Sequence, residues 1–211
     1  MGRYVRANCR LCRTERNKLF LKGDRCRSDK CPIHKKKNAP GKGPRVRSKK
    51  MSNYGVQLRE KQKLKRIYGM LEKQFKIFFM RASRMKGVTG DNLFALLERR
   101  LDNMVYRMRF ATSRKQARQV VLHGHVRVNN KRVNVPSYLV KENDLIQIKE
   151  KSRNLTVVKE GLKQFTASGV MPWLEVDPDQ VCGKVKAVPR RSDITDMKDI
   201  NEQLIVELYS K

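Results

Sequence analysis

A chain of 211 residues has room for one or two domains. Its 50 Lys and Arg against 20 Asp and Glu leave a formal charge of +30, a self-repulsion rare in an ordinary soluble enzyme unless a polyanion relieves it. The 39% hydrophobic content is too high for full disorder, and the longest unbroken apolar run, Leu93 to Leu97, is far short of the ~20 residues a spanning helix needs. Charge is also uneven. Residues 1–50 carry 18 Lys and Arg against 3 Asp and Glu, whereas residues 170–211 carry 6 against 8. Such asymmetry points to a nucleic-acid grip at one end and a protein neighbour at the other. The first thirty residues contain no apolar stretch of signal-peptide type, so a cytoplasmic chain with no membrane partner is expected.

The first element in chain order is a cysteine arm. Cys9-x2-Cys12 is followed by thirteen residues and then Cys26-x4-Cys31. Two close pairs across a short loop are able to supply the four thiolates of a structural zinc site. An iron–sulfur cluster or unligated thiols are the alternatives, and His34 is a possible substitute ligand. The arm has few apolar residues and no regular helix pattern, so metal binding would supply its folding energy. The surrounding Lys and Arg favour thiolates. Four ligands leave no open position, so the metal is not expected to be catalytic. Cys182 stands alone and reads as an ordinary small thiol.

Ala39 to Pro44 is a breaker cluster and reads as a linker. Gln57 to Met85 looks helical in two stretches, interrupted near Gly69. Asp91 or Asn92 then caps a strongly periodic helix with Leu93, Leu97, Leu101, Met104, Val105 and Met108 on one face. Ser113 caps a further helix over 114–123, with Ala117, Val120 and Val121 on one side and Arg114, Lys115, Arg118 and Gln119 on the other. After Gly124 the period changes to two. His125 to Val128 and Lys131 to Val133 read as a hairpin, because Asn129 and Asn130 both tolerate the positive φ of a tight turn. Leu145 to Ile148 reads as another strand, 170–193 as an extended connection and Asn201 to Tyr209 as a short terminal helix.

The helix–hairpin stretch is the most informative. A helix with one apolar and one cationic face, beside a small sheet, presents rigid cations to phosphates, and arginine forks match phosphate oxygens. The run Leu97-Glu98-Arg99-Arg100-Leu101-Asp102-Asn103-Met104-Val105-Tyr106-Arg107 resembles the signature of the bacterial small-subunit ribosomal protein S-four family. So do Ser113-Arg114, Ala117-Arg118-Gln119, His123-Gly124-His125, Val128-Asn129 and Val133 to Tyr138. Tyr54 to Lys63, Gly87 to Leu93, Trp173 to Val176 and Asn201 to Ser210 extend the similarity over essentially the whole chain. The four cysteines match the zinc-containing version of the family one for one. Three positions depart from the common pattern: Arg109, Asn130 and Asn143 stand where glycine is frequent. Asn holds positive φ at modest cost. Arg109 leaves the local loop shape open and adds a possible phosphate contact.

The resemblance implies an α+β fold. A mainly helical, discontinuous domain would carry an inserted small helix–sheet RNA-binding domain and a zinc-bound N-terminal arm. The boundaries read as 1–44 for the arm and linker, 45–97 plus 181–211 for the helical domain, and 98–180 for the insert. It implies a structural component of the small ribosomal subunit, not an enzyme. Such a protein binds the five-prime domain junction of the ribosomal RNA and nucleates assembly. It touches neighbouring small-subunit proteins and lines the channel through which messenger RNA enters. The metal ligands would be Cys9, Cys12, Cys26 and Cys31. Candidate RNA contacts are Arg3 and Arg6 in the arm, and Arg45, Arg47, Lys49, Lys50, Tyr54, Gln57, Arg59, Lys61 and Lys63 in the linker and first helix. Arg114, Lys115, Arg118 and Gln119 follow on the second capped helix, with Lys131 and Arg132 on the hairpin.

Two other classes compete. The module is similar to the RNA-binding appendage of pseudouridine synthases and some tRNA synthetases, but only about 40 residues follow it, too few for a catalytic domain. A zinc-dependent DNA regulator would need a recognition helix and a dimerisation element that the sequence does not show.

Overall fold

The computed structural model describes residues 2, 4–41, 43 and 50–210. Arg3, Arg45, Arg47 and Lys49 lie outside the described residues. The chain divides into two compact units, 1–90 with 197–211, and 91–196.

In the first unit, α1 (Asn8–Glu15) carries Cys9 and Cys12 three residues apart. The arm therefore contains a regular helix, contrary to the reading from its composition. Its anchor is tertiary. The Glu15 side chain is fully buried, and its carboxylate takes Arg66 and Arg59 of α2 (Asn53–Ile67). That ion cluster ties the arm to the helix after the linker. Ser52 caps α2 by accepting from the Gly55 N–H at 3.2 Å. The chain turns at Gly69, with φ +64°, into α3 (Glu72–Ser83). The C-terminal α8 (Glu202–Tyr209) is capped by Asn201 and packs on α2. Leu64, Phe75, Ala82 and Ile205 are fully buried there, and the Tyr209 ring stacks on Phe79 with centroids 4.4 Å apart.

The second unit holds a five-stranded antiparallel sheet, order β2-β1-β3-β5-β4. Its strands are β1 (Val126–Val128), β2 (Lys131–Arg132), β3 (Leu145–Ile148), β4 (Leu174–Asp177) and β5 (Cys182–Val185). Val126, Val128, Ile146, Ile148 and Val185 are buried along it, alternating with exposed or half-exposed residues. The segment 170–193, read as an extended connection, is in fact the β4–β5 hairpin. β5 pairs with β3 at Gln147 opposite Cys182, so the chain belongs to this unit as far as Asp196. The compact unit runs from 91 to 196, beside the insert read from sequence as 98–180.

The long periodic helix is two helices, α4 (Thr89–Glu98) and α5 (Leu101–Arg107). Arg100 between them is extended and bridges Leu139, while the Leu101 and Asp102 N–H groups donate to the Tyr138 and Pro136 carbonyls. The predicted stripe survives the break, because Leu93, Leu97, Leu101, Met104, Val105 and Met108 are all fully buried. The capped helix α6 (Arg114–Leu122) is as expected, with Ser113 accepting from the Gln116 N–H. α7 (Thr156–Ser168) has no counterpart in the sequence reading. Its Gly161 lies under the Arg109–Ala111 backbone, where a Cβ would stand 2.4 Å from the Arg109 carbonyl oxygen. Among the described residues no helix is long and apolar enough to cross a membrane.

Candidate nucleic-acid interface

The signature run from Leu97 to Arg107 builds a polar interior. Glu98 is fully buried and accepts from the Arg107 Nε at 2.8 Å and Nη2 at 2.6 Å, and from the Asn103 amide at 2.7 Å. Arg107 also grips Asp196 at 2.8 and 3.1 Å. Burial pulls the Arg107 guanidinium down, but Glu98 and then Asp196 raise it well above its ordinary value, so it stays charged. Asn103 passes the network on by accepting from the Arg114 Nε at 2.8 Å, and the Arg114 guanidinium lies 4.5 Å from the Tyr106 ring centroid. A second cluster centres on Asp102, which takes Arg100 at 2.8 and 3.1 Å and Arg118 at 3.0 Å.

This changes the meaning of the predicted contacts. Arg118 is buried and its charge is taken by Asp102, so it holds α6 in place rather than facing outward. Arg114 is half-buried and tied to Asn103 and Tyr106; Lys115 is half-buried and Gln119 exposed. Lys131 and Arg132 on the hairpin are exposed, as are Arg6, Lys50 and Tyr54 in the first unit. The α2 candidates are mostly engaged within the protein. Gln57 is buried and donates to Glu207 at 2.8 Å. Lys61 is buried against Glu72, Lys63 pairs with Glu60, and Arg59 reaches Glu15 at 3.4 Å.

The free-facing charge gathers at the β1–β2 edge instead. The turn is made by Asn129 and Asn130 with φ of +48° and +63°, the left-handed pair a tight hairpin needs. The Asn129 side chain fixes the turn to β3, donating to Asp144 at 2.8 Å and accepting from the Leu145 N–H at 2.9 Å. Arg127 stands directly opposite Arg132 across the ladder. Like charges in that position destabilise the sheet unless an anion sits over them. Lys149 joins the cluster: desolvation, then Arg132 and Arg127, hold its ammonium below the ordinary value. Burial, then His123, Lys149 and Arg132, lower His125 in the same way, favouring a neutral ring hydrogen-bonded to Ser152 at 2.8 Å. Gly124 closes α6 with φ +70° and lets the Arg132 guanidinium lie over it, since a Cβ there would meet Nε at 2.3 Å. Arg127 and Lys149 were missed from sequence. The outward position of Arg127 in the alternating run His125 to Val128 is a signal that marks it.

In the arm, Cys12, Cys26 and Cys31 are buried and Cys9 half-buried. Burial pushes the Cys12 and Cys26 thiols up. The other cysteines push in the same direction, opposed by N–H donation such as Lys22 to the Cys26 sulfur at 3.3 Å. The four sulfurs thus share one electrostatic neighbourhood, and nearby Lys and Arg do not by themselves make those two buried thiols thiolates. The donor types suit a thiolate-binding metal. Among the described residues, however, no three or more His, Cys, Asp or Glu side chains are gathered closely enough to hold an ion.

Comparison with known proteins fits this geometry. Residues 3–98 match the family described as "Ribosomal protein S4/S9 N-terminal domain", and residues 99–146 match the "S4 domain" family. The chain is 56% identical to the small ribosomal subunit protein uS4 of Trichlorobacter lovleyi and 55% identical to that of Citrifermentans bemidjiense. Both alignments run over 211 residues and cover 100% of each chain. It is 53% identical, over the same span, to the uS4 protein of Geobacter sulfurreducens.

Proposed function

The chain belongs to the small ribosomal subunit protein uS4 family, and from that premise we propose that it is a non-catalytic structural component that grips small-subunit ribosomal RNA. The observation that carries the reading is the self-repelling edge of Arg127, Arg132 and Lys149, held rigid by the Asn129–Asp144 lock. A surface that is unfavourable in the free protein becomes favourable under phosphates, and arginine forks suit phosphate oxygens. Recognition of folded RNA runs mainly through shape, phosphates and two-prime hydroxyls. Family resemblance supports the finer reading: binding at the five-prime domain junction, nucleation of assembly, contact with neighbouring small-subunit proteins, and lining of the channel through which messenger RNA enters. A ribosome-bound cytoplasmic chain follows from the same reading.

The test is binding of purified protein to small-subunit ribosomal RNA across salt. Counterion release predicts a steep linear fall of log affinity with log salt. The double variant Arg127→Gln/Arg132→Gln should flatten that slope by about 1.5 units, roughly 0.7–0.9 per lost phosphate contact. Affinity independent of salt, or equal affinity for unrelated duplex DNA, would sink the reading.

Within the same reading, Cys9, Cys12, Cys26 and Cys31 hold one structural zinc ion. Bound metal would supply the positive charge that stabilises four thiolates in one neighbourhood and would staple α1 to the turn at Gly23–Cys26. Elemental analysis of the full chain should give near one zinc per protein, and chelation should lower far-ultraviolet helicity. A preparation with iron and inorganic sulfide would favour the cluster instead, and one with neither metal would refute both.

A further inference from the structure

The cations of α2 and α3 have different fates. On α2, Arg59 and Arg66 are taken by Glu15, Lys61 and Lys65 by Glu72, and Lys63 by Glu60. On α3 and its C-cap, Lys73, Lys76, Arg81 and Arg84 are exposed and form no ion pair among the described residues. The acid of α3, Glu72, is already held by Lys61 and Lys65. At about 100° per residue, positions 73, 76, 77, 80, 81 and 84 fall on one continuous stripe of the helix. It lies opposite the buried stripe of Phe75, Phe78, Phe79 and Ala82. Ile77 and Met80, 46% and 45% exposed, sit in the middle of the cations.

We propose that this outer face of α3 is a second RNA-docking surface, with Lys73, Lys76, Arg81 and Arg84 on phosphates and Ile77 and Met80 against sugar or base surface. The inference rests on the ribosomal RNA reading and relocates the contact that the α2 residues were expected to make. Charge complementarity selects the occupant, because four exposed cations in no ion pair among the described residues fit a polyanion. The stripe runs about 17 Å at 1.5 Å per residue. The wide, shallow minor groove of an A-form helix accepts such a low ridge and offers two-prime hydroxyls and sugar faces to the apolar centre. The four cations are exposed and lie off the buried stripe, so their substitution removes no core side chain.

The experiment measures the affinity of the full chain for transcribed small-subunit ribosomal RNA between about 100 and 400 mM KCl. Lys73→Gln/Lys76→Gln/Arg81→Gln/Arg84→Gln should flatten the salt slope by about three units, the loss of four contacts at 0.7–0.9 each. Ile77→Ser/Met80→Ser should weaken binding equally at all salts, and unchanged affinity there overturns the apolar contact. Lys61→Gln/Lys63→Gln, on the internally paired helix, should change the slope by less than one unit, and a larger loss there overturns the relocation. Circular dichroism confirms that each variant is folded. If the α3 variant binds like the parent while Arg127→Gln/Arg132→Gln is weakened, the α3 proposal is wrong and the ribosomal RNA reading stands. If the parent shows no salt dependence, that reading itself has failed. Normal RNA binding by the α3 variant with loss of another subunit protein from assembled particles also overturns the proposal, by making the face a protein contact.

Discussion

Removing the Glu98 carboxylate tests whether the polar interior holds the second unit together. Glu98 is fully buried and receives three hydrogen bonds, two from Arg107 and one from Asn103. Glu98→Ala leaves a guanidinium that burial disfavours but that cannot easily lose its proton. Breaking a buried pair in this way costs roughly 3–5 kcal/mol. Arg107 keeps Asp196, whose side chain is 39% exposed, so a value near the lower end, about 3 kcal/mol, is expected. Asp196→Ala removes only the outer partner and leaves the inner pair neutral overall, so about 1 kcal/mol is expected. A domain stable by ~5–15 kcal/mol feels the first loss severely and the second slightly. The assay is urea unfolding of the full chain followed by fluorescence of Trp173, the sole tryptophan, which is buried in this unit. A loss under about 1 kcal/mol for Glu98→Ala, or equal losses at both positions, would show that the network does not anchor the unit.

Three further outcomes are expected. Asn130→Gly should raise stability to urea by about 0.5 kcal/mol and Asn130→Val lower it by more than about 1 kcal/mol, because φ there is +63°; the opposite order would refute the strained-turn argument. Gly161→Ala should cost roughly 1–3 kcal/mol by the same fluorescence assay, since the new Cβ meets backbone that cannot step aside; a neutral effect would mean α7 is free to shift. Burial pushes Glu72 up, but hydrogen bonds and charge from Lys61 and Lys65 outweigh it and hold the carboxyl at about 2, below its unfolded value of ~4.3. Its contribution is therefore complete above about pH 4.3 and lost as pH falls through about 2. Glu72→Gln should remove part of the acid lability in that window, by less than about 1 kcal/mol because the carboxylate is half-exposed. An unchanged acid transition would count against the Lys61–Glu72–Lys65 cluster.

The elements set by local chemistry were legible in the sequence. Ser113 caps the helix it was expected to cap, the expected terminal helix forms with Asn201 as its cap, and the Asn129–Asn130 turn makes its hairpin. The elements that depend on distant partners were not. α1 has eight residues and no side-chain cap, and it is held by Arg59 and Arg66 far along the chain. α7 carries a mid-helix glycine, which reads locally as a weakness and is in fact a clearance for the Arg109–Ala111 backbone. The break between α4 and α5 is invisible to periodicity, since the buried stripe continues across Arg100 without a change of phase. The positions read as departures from a glycine pattern, Arg109, Asn130 and Asn143, all have φ between +63° and +64°. Glycine had marked a backbone requirement, and the substitutions kept the backbone while changing its cost.

The same distinction separates folding from binding within the recognisable motif. The residues that make the run from Leu97 to Arg107 and the start of α6 distinctive are Glu98, Arg100, Asp102, Asn103, Arg107, Arg114 and Arg118. All but Arg114 are buried, and each is joined to another member of the two interior networks. An arginine in that motif is therefore weak evidence for a phosphate contact, because a carboxylate or amide has already engaged it. The exposed cations at Arg127, Lys131 and Arg132, and at Lys73, Lys76, Arg81 and Arg84, form no ion pair among the described residues. A net charge of +30 overstates what is available at any one face, and the ion pairs decide where the remainder acts. The motif specifies a scaffold, and the proposed RNA contacts fall on what the scaffold leaves outside those networks.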